Sequence, residues 1–290
     1  MGTATRKNLG DAIGRLWSGV DAEKWLATMF QRAATHRLTI VGLDAQISAT
    51  ASYAQRTVPG ELGAQLAPAR RAVCEPEVQR FTTWGYTDAA PFDDAARARL
   101  GACLDEIIAA TAEERPGLSE LHAMAQALGS ALAQTSATPP DDFNLRDAAM
   151  MRALEWHLAR AKTKPRVIVW CANIHAAKYT AEVGGAGALV SLGALIEAKF
   201  GPDAAAIGFS ASGGTHGRSN APPATFESPP VGSLEYVASV GSNRELSYLD
   251  GARLAALGPV ASRMIGGSFI VASWRRMFDG IVVIRDEHHL

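Results

Sequence analysis

At 290 residues, with 48% hydrophobic and 20% charged side chains, the chain has an ordinary globular composition and is long enough to bury a full core. Its formal net charge of −1 argues against a nucleic-acid footprint or an anionic membrane surface, and no apolar run reaches the roughly 18 residues needed to cross a bilayer. The first residues, MGTATRKNLGDAIGRLW, lack the apolar core of a signal peptide, and Arg6 stands where a myristoylation motif needs Ser or Thr.

The three cysteines, Cys74, Cys103 and Cys171, are odd in number and widely spaced. They have neither disulfide-scaffold nor zinc spacing and predict a reduced, cytoplasmic protein.

In chain order, apolar residues at helical spacing predict a helix over Asp11–Thr35, with an interruption near Gly19. Leu38–Asp44 predicts a strand that ends in a carboxylate. Ala64–Val73 and Asp93–Thr111 predict helices, with the aromatic, irregular stretch Gln79–Pro91 between them. Leu118–Thr135 predicts an amphipathic helix, and Pro139-Pro140 marks a loop. A helix follows over Asn144–Lys162, with Asn144 placed to cap it and Asp147 three residues on, as in a capping box.

Arg166–His175, RVIVWCANIH, is the most informative stretch. Val167–Trp170 is β-branched and aromatic, the composition of a strand buried on both faces. It breaks into Ala-Asn-Ile-His, so Asn173 and His175 are expected at the carboxyl end of that strand, where α/β sheets place their chemistry. A helix over Val183–Phe200 and a strand over Ala204–Ser210 come next. Gly213–Pro230 reads as a long loop. Ser233–Ser239 predicts a short helix, and Ser268–Ala272 and Gly280–Arg285 two more strands. This alternation predicts an α/β fold: a mostly parallel central sheet flanked by helices, in one domain over residues 1–290 with a helical insertion at about 93–135.

Trp17 with the helix through Trp25, VGLDAQ at Val41–Gln46, RDAAM at Arg146–Met150, VWCANIH at Val169–His175, SLG at Ser191–Gly193, IGFSASGG at Ile207–Gly214 and FDGIVVI at Phe278–Ile284 stand in order along the chain. In that order and rough spacing they resemble the erythromycin esterase family, whose members have a similar tryptophan-led helix. The family's first histidine in its Trp-x-His-Asn-x-His segment is Ala172 here, and its Asn downstream of the Arg-Asp pair falls at Ala153. No segment before Trp17 corresponds to the family's Gly-Glu…His-Gly strand. If that strand is lacking, exposed strand edge and apolar surface favour an oligomer.

The resemblance implies hydrolysis of a carboxylic ester or lactone by water, without cofactor or metal, on a small-molecule substrate with no nucleic-acid or membrane partner. The catalytic residues it points to are His175, Arg146, Asn173 and Asp44. An imidazole with an ordinary pKa of about 6.5 suits His175 as a base. Arg146 and Asn173 are expected to stabilise the oxyanion, at about 3 kcal/mol for each donor of that kind. Asp44 is expected to position a His or Arg. Asp147 reads first as a helix-end acid that complements the macrodipole. The other reading is a non-catalytic or shortened homologue that binds a small polar ligand.

Four further features have plainer explanations. His216 sits in a loop and reads as solvated. Gly184–Gly187 lacks the residues of a phosphate cradle. Gly208–Ser212 is close to a nucleophile elbow, but the helix that an elbow requires does not follow Ser210. His288 and His289, near the end of the chain, have no partners at metal-ligand spacing.

Overall fold

A computed structural model of the chain describes residues 23–35, 37–46, 52–84, 93–112, 118–183, 189–217, 222–241 and 243–288. The chain clusters into two compact units. The first takes in residues up to Ala137 together with Ala153–His157, and the second takes in Thr138–Arg152 together with Leu158 onward.

The first unit is helical. It contains α1 (Glu23–Ala34), α2 (Ser52–Arg56), α3 (Val58–Gly63), α4 (Pro68–Trp84), α5 (Asp94–Ala110) and α6 (Leu118–Gln134). The side chain of Asp93 caps α5 by accepting from the Ala96 N–H at 2.7 Å. The apolar faces of α3 to α6 meet in one core that includes Leu62, Val78, Phe81, Leu100, Leu104 and Ile107. Helix α4 runs on to Trp84, past the expected end at Val73 and through Pro76. Residues 11–22 of the expected first helix lie outside the described residues.

Packing of α4 on α5 brings Cys74 and Cys103 to a Cα–Cα distance of 5.4 Å, where they form a disulfide. This corrects the expectation of three reduced thiols. The 29-residue separation fits no motif, and only the helix pairing makes the bond. Cys171 is the free cysteine.

Helix α7 (Asp141–Arg160) belongs to both units by its residues. The second unit adds α8 (Asn173–Ala176), α9 (Leu192–Phe200), β1 (Ile207–His216), β2 (Ala224–Thr225), α10 (Leu234–Ser239), β3 (Leu246–Asp250), α11 (Gly251–Leu257), β4 (Val260–Ser262), β5 (Ile270–Ala272), α12 (Trp274–Met277) and β6 (Gly280–Glu287). Ser191, Ser233 and Asp250 cap α9, α10 and α11 with side-chain oxygens.

The main sheet has the order β2-β1-β6-β3, and β4 pairs with β5 separately. β1 and β6 are parallel, with Phe209 opposite Val282, while β2 and β3 join antiparallel. Inward residues Ile281, Val283 and Leu249 pack on Trp274, Met277, Phe278 and Leu234 to make the second core. Burial of each large side chain of this kind contributes about 1.5–3 kcal/mol.

The sheet is therefore mixed, not mostly parallel, among the described residues. The reason lies in two apolar runs. Leu38–Asp44 and Val167–Trp170 form neither helix nor strand among the described residues. Ile168 is 91% exposed and Trp170 67% exposed, so the expected doubly buried strand before His175 is instead an exposed segment. A β-branched run favours extended backbone, but burial also needs a neighbour on each side.

Candidate active site

Helix α7 starts at Asp141, one turn earlier than the sequence suggests, with Pro140 at its N-cap. Asn144 is therefore not the cap. It lies in the first turn, and its Oδ1 accepts a hydrogen bond from the Val190 N–H at 2.7 Å. Phe143 and Asp147, four residues apart, share a face of the helix.

That face meets the one-turn helix α8. The Oδ1 of Asp147 lies 2.7 Å from His175 Nδ1, and its Oδ2 accepts from the Leu192 N–H at 2.6 Å. Asp147 is wholly buried and His175 nearly so. The ring of Phe143 stacks on the imidazole, with 4.9 Å between centroids and 5° between planes. A buried carboxylate already bound to a backbone N–H accepts from imidazole, which assigns the His175 proton to Nδ1 and leaves Nε2 with a free lone pair. A carboxylate that orients an imidazole is an arrangement able to take a proton at the second ring nitrogen.

Ser191-Leu192-Gly193 secures this arrangement at three consecutive positions. Ser191 Oγ donates to the Ala177 carbonyl at 2.5 Å and caps α9. The Leu192 N–H holds Asp147. A Cβ on Gly193 would lie 2.5 Å from the Ala176 carbonyl carbon and 2.7 Å from the Ala177 oxygen, so only glycine lets α9 approach the His175 turn this closely.

Asn173 opens α8. Its Nδ2 donates to the carbonyls of Phe209 (2.6 Å) and Met264 (2.7 Å), and its Oδ1 accepts from the Phe209 N–H at 3.0 Å. The side chain thus pairs with the edge of β1 as a neighbouring strand would. Both amide hydrogens are committed, so none is left for a substrate oxyanion.

Arg146 precedes Asp147 on α7 and is half-buried. Asp44 belongs to the first unit, is exposed, and accepts from the Gln46 N–H at 3.0 Å in a local turn. His157, on the same helix as Arg146, lies 3.3 Å from the Gly42 carbonyl. Burial, and secondarily the charge of Asp147, pushes the Cys171 thiol up to about 11. It stays protonated at neutral pH and is a poor nucleophile there.

Of the expected residues, the structure joins His175 to an acid that the sequence reading had assigned to capping. Asp147 is the candidate site residue that the sequence does not single out. Its signal was present in the Arg-Asp-x-x-Met match, but helix-end statistics favoured the local role.

Residues 18–286 match the family described as Erythromycin esterase. The chain belongs to the erythromycin esterase family. No curated protein matches it. Among solved structures, this erythromycin esterase family member is similar to a succinoglycan biosynthesis protein (TM-score 0.73, 15% identity, 97% of this chain and 76% of that one). It is similar to a Bacillus cereus protein at TM-score 0.69 and 14% identity, over 93% of this chain and 72% of that one. It also resembles the erythromycin esterase EreC, solved as a histidine-to-asparagine variant in its open conformation, at TM-score 0.62 and 15% identity, over 92% and 72%. At these identities the likeness shows the fold. Among the described residues, no helix is long and apolar enough to cross a membrane, and no group of metal-ligating side chains is assembled.

Proposed function

We propose that this chain hydrolyses carboxylic esters of small molecules, lactones included, with His175 as the general base. Nε2 takes a proton from water as the water oxygen bonds to the ester carbonyl carbon. The carbonyl π pair moves onto oxygen. When the tetrahedral intermediate collapses, the alkoxide leaves and takes the proton back from the imidazolium. Asp147 holds the ring and offsets its transient positive charge.

The observation that carries this reading is the 2.7 Å contact of His175 Nδ1 with a carboxylate that is buried and anchored at its other oxygen. Arg146 is proposed as the charge that steadies the oxyanion, and Arg146→Ala is expected to lower kcat. Asn173 is proposed to act by placement, since its amide is already bonded. The name of the neighbouring EreC puts a macrolide lactone among the substrates to try first.

Rates on p-nitrophenyl acetate and on a panel of macrolide lactones test the proposal. His175→Asn is expected to lower kcat by about 10²- to 10⁴-fold, the worth of a positioned base. A wild-type protein with no rate above background on any ester, or a His175→Asn variant as fast as wild type, would overturn it.

A further inference from the structure

A base works only while its ring stays in place, and α8 has a single turn with which to hold it. Its position depends on what Asn173 grips: Phe209 in β1 and Met264 just after β4. A second side chain, this one buried, grips the same two segments. Glu235, on α10, is 0% exposed. Its Oε1 accepts from Ser210 Oγ at 2.6 Å, Ser262 Oγ at 2.5 Å and the Arg263 N–H at 3.0 Å. Its backbone carbonyl accepts from Ser212 Oγ at 3.1 Å.

The two sets of bonds interlock residue by residue. Asn173 holds Phe209, and Glu235 holds Ser210 beside it. Glu235 holds Ser262 and Arg263, and Asn173 holds Met264 next to them. Glu235 pulls from the core face of the sheet, where Ser210 points, while Asn173 pairs with the backbone edge. The other carboxylate oxygen, Oε2, has no hydrogen-bond partner among the described residues. A carboxylate buried in this state is costly, and an apolar side chain would fill the volume with less penalty. What the carboxylate adds is one oxygen on which two separate segments converge.

We propose that Glu235 is a positioning residue for His175. It fixes the spacing of Phe209-Ser210 against Ser262–Met264, and thereby the seat of the helix that carries the imidazole. The proposal rests on the reading of His175 as the base.

The test uses the full chain with Glu235→Ala and Glu235→Gln, read by ester kinetics and by NMR of the His175 Nδ1 proton after 15N-histidine labelling. The pair Ser210→Ala with Ser262→Ala, which leaves Glu235 in place and removes two of its donors, serves if Glu235→Ala fails to fold. In folded Glu235→Ala the Nδ1 proton signal is expected to shift or broaden, and kcat to fall about 10- to 100-fold with little change in KM. Glu235→Gln, which keeps the accepting oxygen, is expected to restore both. A melting temperature that drops while the proton signal and kcat stay at wild-type values would overturn the proposal, in Glu235→Ala or in the serine pair. If the wild-type chain turns over no ester, yet the proton signal moves in Glu235→Ala and returns in Glu235→Gln, the placement of His175 by Glu235 stands and the hydrolase reading falls.

Discussion

The oxygen of Asp147 that does not touch His175 is held by the backbone N–H of Leu192 at 2.6 Å. The carboxylate therefore cannot rotate without breaking a bond at one end or the other. It spans three segments of the chain: helix α7, the His175 turn and the start of α9.

This two-ended anchorage makes Asp147→Asn a sharp probe. An amide must place its oxygen toward Leu192 N–H, so its NH2 faces Nδ1. The imidazole then carries its proton on Nε2, where the base should be. kcat is expected to fall by about 10²- to 10⁴-fold with the melting temperature nearly unchanged. Asp147→Ala instead leaves the Leu192 N–H and His175 Nδ1 without partners. It is expected to cost about 1–3 kcal/mol for each orphaned group, measured by denaturant titration. An Asn variant with wild-type kcat would remove Asp147 from the mechanism.

Cys171 predicts a pH dependence. Burial, followed by the charge of Asp147, raises its thiol from 9.0 to about 11 in the folded chain. The folded state holds the proton more tightly than the unfolded state. This contribution to stability is fully present below pH 9 and is lost as pH rises toward 11. Denaturant midpoints at pH 8 and pH 10.5 are expected to differ more for wild type than for Cys171→Ala. The same variant is expected to keep kcat within about twofold, because a protonated thiol is not the nucleophile.

The disulfide gives a second chemical test. Cys74 and Cys103 close a loop of 29 residues within the helical unit. Removing a bond with that span is expected to cost about 3–4 kcal/mol. Cys103→Ala should therefore lower the calorimetric melting temperature of the first unit. Denatured without reductant, the protein should show one reactive thiol, Cys171; with reductant, three. Three thiols in the unreduced protein would show that the bond does not form.

How much of this was legible depended on the kind of signal. Helices α5, α6 and α10 follow from apolar spacing and from caps at Asp93 and Ser233, which are local properties of the chain. Strand β6 is visible as an apolar run, and β1 only in its first half, since its residues Gly213–His216 read as loop. Leu246–Asp250 is not visible, because only Leu249 of its five residues is buried and the strand is fixed by pairing with β6. Val167–Trp170 failed in the opposite sense: its composition fits a buried strand, but Ile168 and Trp170 are exposed. At the site, His175 stood out as a polar residue after an apolar run. The role of Asp147 did not, because an acid near a helix start looks the same whether it caps the helix or reaches a residue 28 positions away.

Gly193 tests whether the seat of His175 is set by contact. A Cβ at that position would press on the Ala176 carbonyl carbon at 2.5 Å, and backbone cannot yield as a flexible side chain does. Gly193→Ala must push α9 away from α8 or distort the turn, at a cost of about 1–3 kcal/mol. The displacement would also pull the Leu192 N–H off Asp147, so kcat is expected to fall together with stability. Gly129 in helix α6 is the control. A Cβ there meets nothing within 4 Å, and Gly129→Ala is expected to stabilise the chain by about 0.5–1 kcal/mol with kcat unchanged. Equal melting temperatures and rates in Gly193→Ala and Gly129→Ala would show that the close approach at Gly193 plays no part in holding the imidazole.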